Sequence, residues 1–181
     1  ILADALTILE KFGTLDVNLM YIGAKNNVFN SHVEFFSKMK KGTLYGLTPL
    51  VNETACGPDF YEEAKKSGHY IELDPAMSME EAKEYANKMD VLYTDTWVDM
   101  EFFNNPAYQK QKEETLAKMM PYQLNGDFTK DSKAIVFHDM PMHVGFEISQ
   151  DVVDKNLDHI LDEAENRRHA EKAVMYTLLN S

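Results

Sequence analysis

Five short apolar runs, separated by stretches of helical spacing, constrain this chain more than any other feature. They cover residues 17–23 (VNLMYIG), 43–49 (TLYGLTP), 69–73 (HYIEL), 91–97 (VLYTDTW) and 134–140 (AIVFHDM). Runs that are apolar almost throughout read as strands buried on both faces, as parallel strands are, rather than as half-exposed alternating ones. Between them, Phe29, Val33, Phe36 and Met39 fall at helical spacing. Residues 59–67 sit between Pro58 and Gly68, the expected punctuation of a helix. Ser78 with Glu81 three residues on forms a capping box for a helix reaching Met89. Residues 106–119 and 156–179 read as two further helices, the second with a break near Glu163. Leu2, Leu6, Leu9 and Phe12, stopped by Gly13, read as a first helix. The expectation is an α/β fold: a doubly wound, mainly parallel sheet of about five strands with helices on both faces, a three-layer sandwich. One domain spans residues 1–181.

Charge narrows the partners. Asp plus Glu number 30 and Lys plus Arg 18, a formal net charge of −12. A chain this acidic repels a phosphate backbone, so neither nucleic acid nor an anionic membrane is expected as a partner. The single cysteine, Cys56, excludes an internal disulfide and a cysteine zinc cage, and points to a reducing cytoplasm. No apolar run approaches the roughly 20 residues of a membrane helix. The chain opens within a helical pattern, without a basic leader or an initiator Met, and reads as a piece of something longer.

Parallel sheets bind ligands outside the carboxyl ends of their strands. After the first strand come Asn26 and Asn27, either donors for a carboxylate beside a helix N-terminus or simply caps of that helix. The loop has neither a dinucleotide fingerprint nor a phosphate loop. At the fourth strand Asp95 and Asp99 bracket Trp97; they would hold a cationic amine, or form a solvated loop with a cap. At the fifth strand His138 would donate to a carbonyl oxygen or serve as a satisfied structural histidine. His143 lies five residues on, a spacing that matches no zinc signature, so no metal is expected. On the last helix Arg167 would either present its planar fork to an anion or pair with Glu163 on an exposed face.

Six segments, in order along the chain, carry a resemblance. LADALTILEKFG (2–13) is similar to a helix written L-A-D-x-x-T-I-x-E-x-F-G. YIGAKNNVFNS (21–31) is similar to Y-I-G-D-G-N-N-V-x-x-S, and YTDTWVDM (93–100) to T-D-x-W-V-S-M-G. YQLN (122–125) stands for Y-Q-V-N, and HDMP (138–141) for H-C-L-P. DEAENRRHAEKAVM (162–175) is similar to D-E-A-E-N-R-x-H-A-x-K-A-V. Together they resemble the carbamoyltransferases, and within that family the second half of its ornithine-specific members. The resemblance implies transfer of a carbamoyl group from carbamoyl phosphate to ornithine, giving citrulline and phosphate, without a cofactor.

The resemblance also implies roles. Asn27 would hold the amino acid's carboxylate, with the main chain at Met100 assisting. Asp95 would hold its α-amino group. His138 and the following main chain, Asp139 to Met140, would touch the carbamoyl group, and Arg167 would contact carbamoyl phosphate. The chain departs from the family where Asp99 replaces a Ser, Asp139 replaces a Cys and Glu101 replaces a Gly. The two added aspartates favour a more cationic substrate, so another basic amine such as putrescine is an alternative. A non-catalytic amine-sensing module and a subunit regulating a separate transferase are the other readings. YQLN and the acidic pocket argue against aspartate as substrate. The carbamoyl-phosphate-binding half, with its S-T-R-T-R motif, is not in this sequence. The 181-residue piece is therefore expected to be inactive alone, and the intact enzyme to be a trimer-based homo-oligomer.

Overall fold

The computed structural model describes residues 1–98 and 100–181. The expectation placed on Asp99 lies outside them, and Met100 is described by its backbone. The elements run α1 (Leu2–Phe12), β1 (Asn18–Lys25), α2 (Asn27–Met39), β2 (Thr43–Val51), α3 (Pro58–Lys65), β3 (Tyr70–Glu72), α4 (Met79–Ala86) and β4 (Val91–Thr94). They continue through α5 (Met100–Phe103), α6 (Gln109–Met119), α7 (Gly126–Thr129), β5 (Ile135–His138) and α8 (Gln150–Leu179). Single 3-10 turns precede and follow α6.

Among the described residues the sheet has five strands in the order β3-β2-β1-β4-β5, every neighbouring pair parallel. The chain winds outward from β1 to β3, then returns to β1's other side for β4 and β5. That reversal opens a crevice between the carboxyl ends of β1 and β4, the usual ligand position in such sheets.

Side-chain alternation assigns the two faces. Leu19 and Tyr21 of β1 pack with Ile8 of α1, Phe29 and Phe36 of α2 and Tyr61 of α3. Met20 and Ile22 pack with Ala82 and Ala86 of α4, Phe128 of α7 and Val152 and Ile160 of α8. Both faces of the sheet are therefore dry, which is why its strands read as unbroken apolar runs. Close approach decides two glycines. A Cβ on Gly46 would stand 2.6 Å from the Phe29 ring, and Gly42 has φ +64° with the Val17 carbonyl oxygen 2.1 Å from where a Cβ would lie. Neither position admits a larger residue without moving its neighbours.

Local signals hold where one residue carries them. Gly13 adopts φ 71° and ends α1, and both halves of the Ser78–Glu81 capping box are formed. Three expectations change. α8 starts at Gln150 and runs 30 residues with no break at Glu163. The residues expected to form one helix from 106 begin instead as a 3-10 turn, and α6 starts at Gln109. The connection between β4 and β5 also holds α7, four residues capped by Asn125 and too short to show a period.

β5 is an edge strand, and α8 closes its open side. Asn156 Oδ1 accepts from the Val136 amide at 3.0 Å, and Glu163 Oε2 accepts from the His138 amide at 3.0 Å. Amides that would otherwise offer a free pairing edge are thus satisfied by side chains.

Candidate active site

The crevice between β1 and β4 is built from Asn26 and Asp95. Asn26 caps α2: its Oδ1 accepts from the Phe29 amide at 2.9 Å, and its Nδ2 donates to Asp95 Oδ2 at 2.7 Å. The capping alternative therefore holds for Asn26, and the same side chain orients Asp95. Asp95 is buried; its Oδ1 accepts from the Thr96 amide at 2.7 Å. Burial pushes its carboxyl up to about 6, against the pull of the Asn26 and Thr96 hydrogen bonds and of His138 nearby. Tyr21 stands behind the pair, its hydroxyl donating toward Ala24 O at 3.2 Å and Asn26 Oδ1 at 3.4 Å. Asn27 opens α2 and is exposed, its amide donating to Thr54 Oγ1 at 3.3 Å.

A second group forms at the end of β5. His138 is buried, with Nε2 3.2 Å from Glu147 Oε1. Its Nδ1 is buried without a partner. Glu147 also accepts from the His143 amide, so one carboxylate holds both the histidine and the loop that follows it. The His143 ring stacks on Phe103, centroids 3.5 Å apart and planes at 8°. Among the described residues no cluster of His, Cys, Asp and Glu is arranged to hold a metal.

His138, Asp139, Met140 and Arg167 line one cleft of about 470 Å³, together with Leu2 and Asp4 of α1 and Glu163 and Glu171 of α8. Asp139 and Met140 are exposed in it. Arg167 shares the cleft, yet its Nε donates to Glu171 Oε1 at 3.0 Å. The pair expected with Glu163 is not formed, because that side chain turns inward to β5 while Arg167 faces out. Lys25, at the end of β1, pairs with Glu72 of β3. These two cations are thus held by carboxylates, and the region around the strand ends is rich in negative charge.

The comparisons with known proteins fit this geometry. The family model described as "Aspartate/ornithine carbamoyltransferase, Asp/Orn binding domain" matches residues 15–178. This chain belongs to the aspartate/ornithine carbamoyltransferase family. Among curated members, the ornithine carbamoyltransferase of Chlorobaculum tepidum is 34% identical over 186 residues, covering 99% of this chain and 50% of that protein. The ornithine carbamoyltransferase of Pyrococcus horikoshii is 36% identical, covering 98% of this chain and 54% of that protein. The chain spans about half the length of the curated relatives it matches. Among solved structures, the anabolic ornithine carbamoyltransferase of Campylobacter jejuni superposes with a TM-score of 0.80 at 25% identity, over 98% of this chain and 57% of that one. The ornithine carbamoyltransferase of Thermus thermophilus gives 0.73 at 29%, over 98% of this chain and 53% of that one.

Three residues of this carbamoyltransferase domain escaped the reading of its sequence as site residues. Glu147 lay in a loop without periodicity. Glu163 was read as half of a surface pair. Asp4 is buried, with Oδ2 3.2 Å from His32 Nε2. Only the LADALT segment marked Asp4 at all, and it did so by likeness rather than by chemistry.

Proposed function

We propose that this chain is the amino-acid-binding half of a carbamoyltransferase that converts ornithine and carbamoyl phosphate to citrulline and phosphate. The observation that carries the reading is the buried Asp95 carboxylate, aimed by Asn26 into the crevice beside the His138–Glu147 pair. A buried carboxylate held by neutral donors asks for a cation, and an α-ammonium group supplies it. Asn27 and the main chain at Met100 hold the substrate carboxylate.

In the reaction the neutral side-chain nitrogen attacks the carbamoyl carbon. The bond from that carbon to the phosphate oxygen breaks, and the nitrogen loses a proton to water or to a cleft carboxylate. His138, Asp139 and Met140 face the carbamoyl group, and Arg167 leaves Glu171 to meet the more highly charged carbamoyl phosphate. Glu147 fixes the ring of His138, so its free Nδ1 is set before substrate arrives. No cofactor is required. The rest of the phosphate site, a separate carbamoyl-phosphate-binding domain, belongs to a part of the protein outside residues 1–181. The intact enzyme is a trimer-based homo-oligomer working in the cytoplasm. The lone exposed Cys56 suits that compartment, and no helix among the described residues is long and apolar enough to cross a membrane.

Asp139 favours a second reading. An exposed carboxylate in the cleft suits a basic amine such as putrescine, whose two ends are both cationic. One experiment separates the readings. The intact protein is incubated with carbamoyl phosphate and, in turn, ornithine, putrescine, lysine and aspartate, and phosphate release is followed. Turnover with ornithine is expected. Turnover with putrescine alone would move the assignment to the second reading. No turnover, with ornithine still bound in calorimetry, would make the domain an amine-binding module.

A further inference from the structure

We propose that Glu163 is a positioning residue: from α8 it clamps the end of β5 and sets the main chain that carries His138, Asp139 and Met140 into the cleft. The inference rests on the carbamoyl-transfer reading for its kinetic arm.

The argument comes from two residues on one helix that do similar work with different chemistry. Asn156 and Glu163 are two turns apart on α8, about 10 Å. They accept from amides two residues apart on β5, about 7 Å. Asn156 is partly exposed, neutral, and tied back to the Val152 carbonyl by Nδ2 at 2.9 Å. It closes the strand edge and nothing more. Glu163 is 3% exposed. A carboxyl group at that depth is far costlier to bury than the amide that suffices one step earlier.

Its surroundings show what the acid adds. Burial pushes the Glu163 carboxyl well up, and the charge of Asp4 pushes it further, while the His138 amide and the Tyr93 hydroxyl pull the other way. Burial also pushes Asp4 up, but His32, with Nε2 3.2 Å from its Oδ2, holds it below the usual carboxylate range. The two acids are thus pushed in opposite directions, Glu163 upward and Asp4 downward. His32 donates from its other ring nitrogen toward the Val28 carbonyl at 3.0 Å. Asp4 of α1 and Glu163 of α8 line the same cleft, and Glu163 meets the His138 amide at its base. Asp139, Arg167 and Glu171 are the other charged side chains of that cleft. An amide at 163 has the same reach and can accept from the His138 amide, so glutamine reproduces the clamp. Alanine and aspartate cannot span the distance.

The kinetic signature follows from geometry. The amino acid's carboxylate and α-amino group are held at β1 and β4, which the clamp does not carry. The carbamoyl group meets the end of β5, which it does. Displacing that end by about 1 Å costs on the order of 100-fold in turnover. The test uses the intact protein and the variants E163A, E163D, E163Q and N156A. Two readouts are taken: kcat and KM for ornithine, and backbone amide exchange across 136–141. E163A and E163D are expected to lose roughly 30- to 100-fold in kcat with KM for ornithine within about 3-fold. E163Q should stay within about 5-fold of wild type. N156A should lower Tm comparably while leaving kcat within about 3-fold. Exchange at 138–140 should rise at least about 10-fold in E163A and E163D, and in N156A only near 136. Equal kcat losses in N156A and the Glu163 variants would make Glu163 merely structural. So would a wild-type kcat in E163D, which keeps the acid and covers the case where E163A does not fold. Unchanged exchange at 138–140 overturns the clamp whatever the kinetics show. If the wild type does not carbamoylate ornithine, the functional reading fails by itself and the exchange result still decides Glu163.

Discussion

The ends of β4 and β5 each present an aspartate one residue beyond the last paired residue, and the two are built differently. Asp95 is 6% exposed and held by the Asn26 amide and the Thr96 backbone. Asp139 stands exposed in the open cleft that Arg167 also lines. The same side chain is a fixed, desolvated anchor in one place and an adaptable surface charge in the other. Burial strengthens every interaction of the first and weakens any claim on the second to set geometry alone.

The comparison predicts a graded series. Asp95→Ala should have the largest effect, a loss of about 100- to 1000-fold in kcat/KM for ornithine in the intact protein, because it removes one partner of a buried charged contact. Steady-state phosphate release measures it, and a loss below 10-fold would sink the anchor role.

Next in size is the pH dependence of stability. The folded carboxyl of Asp95 titrates at about 6 against 3.8 when unfolded. The unfolded state therefore releases its proton first, and burying the charge costs stability above pH 6, by about 3 kcal/mol at full ionisation. As pH falls from 6 toward 4 that cost disappears. Chemical denaturation of wild type and Asp95→Asn should show the wild type gaining on the variant across this window. Parallel curves would contradict the burial argument.

Asn26→Ala removes the cap of α2 and a donor to Asp95 together. A loss of about 2 kcal/mol is expected, cap and hydrogen bond each supplying about half. The Asp95 titration should also move above 6, which carboxyl-resolved NMR would detect. The smallest effect is expected for Asp139→Asn, within about 10-fold in kcat/KM for ornithine, since an exposed charge contributes little. A larger loss, confined to putrescine, would show that the open aspartate selects the amine after all.

Most of the fold was legible because burial on both faces writes itself as five unbroken apolar runs, and Leu19–Ile22 needed no further context. Caps were legible where one residue suffices, as at Gly13 and Ser78. The site was legible in part. Asn26 and Asp95 follow strand ends and His138 closes one, and a parallel sheet brings strand ends together. Glu163 was not legible. Its spacing to Arg167 suits a surface pair, and nothing local tells a helix which of its acids turns inward. Glu147 and Asp4 were hidden for the same reason: their partners lie nine residues away on another element and, for Asp4, on α2.

The amino-acid sequence by itself determined the layer architecture, the positions of the caps and the family, because periodicity, turn chemistry and ordered motifs are local properties of a chain. Only the tertiary structure decided which carboxylates are buried, which cations are already paired and which helix closes the edge of β5. Those depend on the approach of residues up to 159 positions apart, as Asn166 Nδ2 reaches Thr7 Oγ1 at 2.9 Å between α8 and α1. A side chain's charge is written in the sequence, but the dielectric around it exists only once the chain has packed.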